Sequence, residues 1–139
     1  MTDIDEHKLF VLAEILGVKH LEPLSQTFPT SGFIFGTNNR AIIPLSCRYA
    51  QRPELCVIFI VDTCAPTTYI SNTTVRALTG TKSVPANVVN ISIQGFKPLR
   101  CYISQKHFVD VNVLGVDFLK ANGLKLLIDY VTDSLILQE

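Results

Sequence analysis

A run of seven apolar residues, Leu55-Cys56-Val57-Ile58-Phe59-Ile60-Val61, stops directly on a carboxylate, Asp62. The run is rich in β-branched residues and has no polar residue at alternate positions. It reads as a strand covered on both faces, because a half-exposed strand alternates apolar and polar groups. Whatever the chain folds into must therefore lay protein against both sides of this strand. Asp62 adds a second constraint. A carboxylate at the end of a buried strand is costly unless it is paired or hydrogen-bonded. Taken alone, Asp62-Thr63 after a strand reads most simply as an Asx or Ser/Thr turn.

The flanking sequence supplies the covering layers. The 139 residues amount to one domain, and 47% are apolar against 17% charged, enough for a real core and too apolar for a disordered tail. Residues 5–18 carry Leu9, Leu12, Ala13 and Leu16 at helical spacing, with Asp5 at the start and Gly17 at the stop. This helix is expected to pack on its own domain or on a partner, since its polar face lacks the basic stripe of a membrane-surface helix. Residues 22–31, with Pro23, Ser25, Pro29, Thr30 and Ser31, read as a linker. We therefore divide the chain into a helix and linker over 1–31 and a main domain over 32–139. In the main domain a hairpin is expected around Gly36-Thr37-Asn38-Asn39, with an edge or bulge at Pro44. Further strands are expected at 88–93, 99–103, 108–114, 124–130 and 134–137, and a short helix at 117–122 closed by Gly123. Many short strands with one late helix predict a mostly β, closed barrel.

Several function classes are disfavoured at this level. Lys plus Arg and Asp plus Glu each number 12, so no charge balance advertises nucleic acid, and Lys97, Arg100 and Lys106 form a scattered basic face. Cys47, Cys56, Cys64 and Cys101 contain no Cys-x-x-Cys spacing, so neither a metal nor another cofactor is expected. There is no signal-peptide pattern and no membrane-length apolar run, so an intracellular, cytoplasmic setting with free thiols is expected. Asp117 reads as a helix cap, Asp129 and Asp133 as turn residues, and His107 as exposed. His7, His20 and His107 offer no motif that would make Cys64 a nucleophile.

The apolar run and sharp turn recur faintly: Phe59-Ile60-Val61-Asp62-Thr63-Cys64 is echoed by Val111-Asn112-Val113-Leu114-Gly115-Val116. With Ala65-Pro66-Thr67-Thr68 after the first and Asp117-Phe118-Leu119 and Leu127-Ile128-Asp129-Tyr130 after the second, the sequence resembles the retropepsin-like aspartic proteases. These comprise retroviral, retrotransposon and related cellular forms, and the resemblance spans about residues 32–139. It implies a retropepsin-like barrel and a homodimeric endopeptidase acting on a peptide or polyprotein. Asp62 would be catalytic, Thr63 would brace the two loops across the two-fold axis, and Cys64 and Ala65 would contact substrate. The chemistry needs two carboxylates about 3 Å apart sharing one proton, one acting as base toward water and the other as acid. One motif per chain means the second carboxylate comes from a second copy.

The resemblance also has two departures. Cys64 stands where the family has glycine, so its side chain is expected to crowd the loop. The family's glycine-tipped covering hairpin has little room between Ser71 and Asn90, so a truncated flap is expected. The alternative function is accordingly a catalytically weak or inactive domain kept for dimerisation or assembly, with the N-terminal helix as a further contact element.

Overall fold

The computed structural model describes residues 3–85 and 87–139, with the backbone alone at His107. The expected exposure of His107 thus lies outside the described residues. The elements run α1 (Glu6–Ile15), β1 (Thr30–Phe35), β2 (Arg40–Arg48), β3 (Leu55–Val61), β4 (Tyr69–Ile70), α2 (Asn72–Thr79), β5 (Val88–Ile93), β6 (Leu99–Ile103), a 3-10 turn (Lys106–Phe108), β7 (Asn112–Leu114), α3 (Val116–Ala121), β8 (Lys125–Asp129) and β9 (Ser134–Gln138).

Hydrogen bonding closes a ring, β2–β3–β7–β4–β6–β5 and back to β2, which is the mostly β closed barrel expected. An outer ladder, β1–β9–β8, hangs from β2. The apolar run is covered on both faces, as its composition requires. Val57, Phe59 and Val61 point into the barrel with Ile43, Leu45, Ile91 and Phe118. Cys56, Ile58 and Ile60 point outward and are covered by Ile4, Leu9, Leu12 and Ala13. The N-terminal helix thus packs on its own barrel. Asp5 caps it, its carboxylate accepting the Lys8 amide at 2.8 Å, and Gly17 at φ +75° ends it. Each fully buried leucine on that face contributes about 2 kcal/mol relative to exposure.

Two side chains finish β3 where its neighbour β7 has not yet begun. The Ile58 amide donates to His20 Nδ1 at 3.2 Å, and Asn112 Nδ2 donates to the Ile58 carbonyl at 3.2 Å. Burial pushes the His20 pKa down to about 4. At the start of the linker, the Cys56 amide donates to the Glu22 carbonyl at 2.7 Å, and the preceding Leu21 amide donates to the Cys56 carbonyl at 2.7 Å.

Pro44 sits where β2 has left β1 and not yet met β5. Here the edge of β2 facing away from β3 lacks a strand. Gln26 Nε2 donates to the Pro44 carbonyl at 2.8 Å, and the Ser46 amide donates to Gln94 Oε1 at 2.6 Å. The missing N–H of proline would have faced this gap, so it is tolerated there.

Three expectations need correction. The strand placed at 108–114 shrinks to Asn112–Leu114, because the Val111 amide turns back to the Phe108 carbonyl at 3.0 Å and closes a turn. The late helix begins at Val116, and its N-cap is Gly115 rather than Asp117. The third concerns α2, where no helix was expected. Ser71 caps it, its hydroxyl accepting the Thr74 amide at 3.2 Å, and Gly80 at φ +71° closes it. With α2 using residues 72–79, the chain from Gly80 to Asn87 forms no strand among the described residues, in line with the truncated flap.

Candidate active site

β7 lies between β3, to which it is parallel, and β4, to which it is antiparallel. The loop after β3 and the start of α3 must then cross at one point, and this crossing fixes the backbone around Asp62. The Asp62 amide donates to the Leu114 carbonyl at 3.0 Å, tying the end of β3 to the end of β7. The Ala65 amide donates to the Asp62 carbonyl at 3.1 Å, and Val116 donates to the Ala65 carbonyl at 2.9 Å.

A second set of bonds locks the loop from below. The Thr68 hydroxyl donates to Asp117 Oδ1 at 2.7 Å while its amide donates to Oδ2 at 3.1 Å. The same hydroxyl accepts the Gly115 amide at 3.0 Å. Thr68 is fully buried, so these partners are what make its polar atoms tolerable there. Gly115 is obligatory for a steric reason. A Cβ at that position would run into the Thr67 carbonyl and lie 3.0 Å from the Ala65 carbonyl oxygen. The Asp117 carboxylate also accepts the Phe118 amide at 2.8 Å.

The Asp62 carboxylate is half-buried and accepts the Cys64 amide at 2.9 Å, so its loop is an Asx turn with one carboxylate oxygen held. Thr63 and Cys64 are exposed and Ala65 is half-buried. Cys64 is not among the residues with positive φ, and its side chain is exposed rather than wedged into the loop. Within the single copy no crowding of the loop is seen: the residue has no positive φ and its side chain is exposed. Cys47, Cys56 and Cys101 are buried, and burial pushes the thiols of Cys56 and Cys101 up to about 12 and that of Cys47 well above its ordinary range.

A cavity of about 340 Å³ opens beside Asp62. Asp62 and Thr63 line it together with Arg40, Ile60, Phe108 and Val113, whereas Cys64 and Ala65 do not. Arg40, Phe108, Thr68 and Asp117 were not picked out as site residues from sequence. The Leu114-Gly115-x-Asp117 motif carried the signal for Asp117. Arg40 and Phe108 reach the site through strand pairing and a turn that no local pattern announces. Among the described residues, no three His, Cys, Asp or Glu side chains come together as a metal site would require. No helix among them is long and apolar enough to cross a membrane.

No protein-family model matches the chain, and no curated protein matches it. Among solved structures, the chain is similar to a retropepsin-like aspartic protease from Rickettsia conorii, with 19% identity, covering 82% of this chain and 96% of that one at a TM-score of 0.49. It is also similar to the retroviral protease-like domain of Ddi1 from Leishmania major, with 18% identity, covering 65% of this chain and 84% of that one at a TM-score of 0.42.

Proposed function

We propose that the chain is one half of a homodimeric aspartic endopeptidase, with Asp62 from each copy forming a proton-sharing pair that activates water toward a peptide bond. The observation that carries this reading is the Asp62 loop itself. A single carboxylate stands at a rigid strand crossing, oriented by the Cys64 amide, with Thr63 exposed beside it. Asp117 is engaged with Thr68 and cannot serve as the second carboxylate of the same chain. A second copy is therefore needed, and its Asp62, brought to about 3 Å, would force one proton to be shared. One carboxylate then removes a proton from water as the other protonates the carbonyl oxygen; the first next passes its proton to the leaving amine while the second regains one from a hydroxyl of the tetrahedral intermediate.

Thr63, exposed at the tip, is the residue to brace the two loops, and Cys64 and Ala65 flank the substrate backbone in this reading. The substrate is a peptide or polyprotein segment, and the setting is a reducing one in which Cys64 stays a thiol. The second reading, a catalytically weak domain kept for assembly, draws on the 80–87 segment. With no strand pair among the described residues there, water is poorly excluded from the cleft in this reading.

Cleavage of a peptide library at mildly acidic pH, with and without an aspartic-protease inhibitor, tests the reading. Inhibitor-sensitive cleavage that Asp62→Asn abolishes is the expected result. Cleavage that survives in Asp62→Asn removes Asp62 as the catalyst, and no cleavage by a dimeric wild type favours the assembly module.

A further inference from the structure

Among the described residues, one buried side-chain polar atom has no hydrogen-bond partner, Arg48 Nε. Buried polar groups are nearly always bonded, and a charged donor without an acceptor costs more than a neutral one. No carboxylate offsets the charge either. The one ion pair among the described residues joins Arg40 to Asp3, and Glu54, which lines a neighbouring cavity with Arg48, does not pair with it. The half-buried Arg48 guanidinium is thus set for an acceptor that this chain does not supply. Its surroundings say what kind. Arg48 ends β2 opposite Ser92 of β5, and both alternate with the inward-pointing Cys47, Ile91 and Ile93, so they stand on the outer face of the barrel. A cavity of about 310 Å³ opens there, lined by Arg48, Gln51, Asn90, Phe96, Lys97 and Pro98 among others, with no Asp or Glu among its described lining residues. It shares no residue with the cavity beside Asp62. The bases that lie scattered in sequence are sorted by the fold. Arg100 Cζ stands 6.0 Å over the Tyr102 ring, Lys106 lines a different cavity, and Lys97 joins Arg48.

We propose that this cavity binds a phosphate monoester, its phosphate held by Arg48 and Lys97 and its organic group laid against Phe96 and Pro98. The charge count selects the anion. A phosphate monoester carries about −1.5 to −2 at neutral pH and three terminal acceptor oxygens, which match a guanidinium, an ammonium and the amide donors of Gln51 and Asn90. A carboxylate would be matched by Arg48 alone and would leave Lys97 uncompensated. Ser92 is not counted among the donors, because its hydroxyl already donates to the Phe96 carbonyl. The cavity is larger than a bare oxyanion needs, and its remaining wall, Phe96 and Pro98, is apolar, which favours an ester over the free ion. The site stands apart from Asp62 and does not depend on the endopeptidase reading.

The test is a calorimetric titration of the full chain with phenyl phosphate, inorganic phosphate and phenol. Phenyl phosphate should bind most tightly, inorganic phosphate more weakly and phenol not at all. Arg48→Met keeps the aliphatic stem and should weaken phenyl phosphate by ~10-fold or more, the range of hydrogen bonds to a charged group. Lys97→Met should weaken it by up to ~5-fold, the range of an exposed ion pair, and added salt should reduce that difference. Asp62→Asn should bind as wild type does, so the outcome is independent of any cleavage result. No binding of either phosphate at millimolar concentration, or an affinity unchanged in Arg48→Met, overturns the site. Equal affinity for the two phosphates overturns the ester and leaves the free ion as the occupant. Should Arg48→Met fail to fold, Lys97→Met decides the matter, since Lys97 is exposed and its loss leaves the fold intact. Unchanged affinity in that variant overturns the two-cation site.

Discussion

At the scale of single residues, the loop that presents Asp62 depends on three positions that never touch the cavity. Gly115, Thr68 and Asp117 form one closed set of contacts, and each is irreplaceable for a different reason. Gly115→Ala would push a methyl group into the Thr67 carbonyl, where backbone must shift. The expected loss is roughly 3 kcal/mol in a denaturant titration, the upper range for overpacking. Asp117→Ala would strand the Thr68 hydroxyl and amide and should cost about 1–3 kcal/mol in the same titration. Cys64 behaves differently. Because it carries no positive φ, Cys64→Gly relieves no strain and instead loosens the turn, so stability should fall by about 0.4–1 kcal/mol rather than rise. A thermal melt that rises in this variant would reinstate the crowding expected from sequence.

At the scale of elements, His20 couples the N-terminal segment to β3. Its neutral ring accepts the Ile58 amide, and its edge meets the Phe10 ring with centroids 5.0 Å apart. The folded pKa, about 4, lies below the ordinary 6.5, so the native state binds fewer protons than the unfolded chain between those values. Its contribution is full above pH 6.5 and is lost as pH falls toward 4. His20→Gln should flatten that part of the stability–pH curve, and a curve unchanged in slope would remove His20 as its cause. The elements that were legible in the sequence are those whose burial is periodic. The apolar run of β3, the stripe of α1 and the paired strands β5 and β6 follow from side-chain spacing alone. The helix α2 was hidden because Asn72-Thr73-Thr74-Val75 are weak helix formers. Its only local signals were the Ser71 cap and Gly80. β7 was overextended because Phe108 and Val109 look like strand residues, whereas the chain turns there. For the site, Asp62 stood out because a charge ends a buried run. Arg40 did not, since its role depends on Asp3 arriving from 37 residues away.

At the scale of the whole molecule, the outer ladder ends at β8, whose far edge has no partner among the described residues. Leu127, opposite Ile136 in the register, is 52% exposed, and Val131 in the following turn is 94% exposed. An apolar open edge of this kind invites a second chain. Sedimentation over a concentration series should show a monomer–dimer equilibrium, and Leu127→Lys with Val131→Lys should shift it toward monomer. A strict monomer at high concentration would leave Asp62 without its pair. The gap in β2 bridged by Gln26 and Gln94 bears on this directly. It ends the ladder's attachment at three residue pairs, Phe33–Ile42, Ile34–Ala41 and Phe35–Arg40, while the barrel closes independently through β5. The gap leaves β8 and its turn as the loosest part of the ladder: they are expected to fray before β1 and β9, whose Ile34, Leu135 and Leu137 pack in the barrel core. In the proposed homodimer, separation of the two copies would then be a local melting event, and dilution should speed amide exchange in β8 long before it reaches β3.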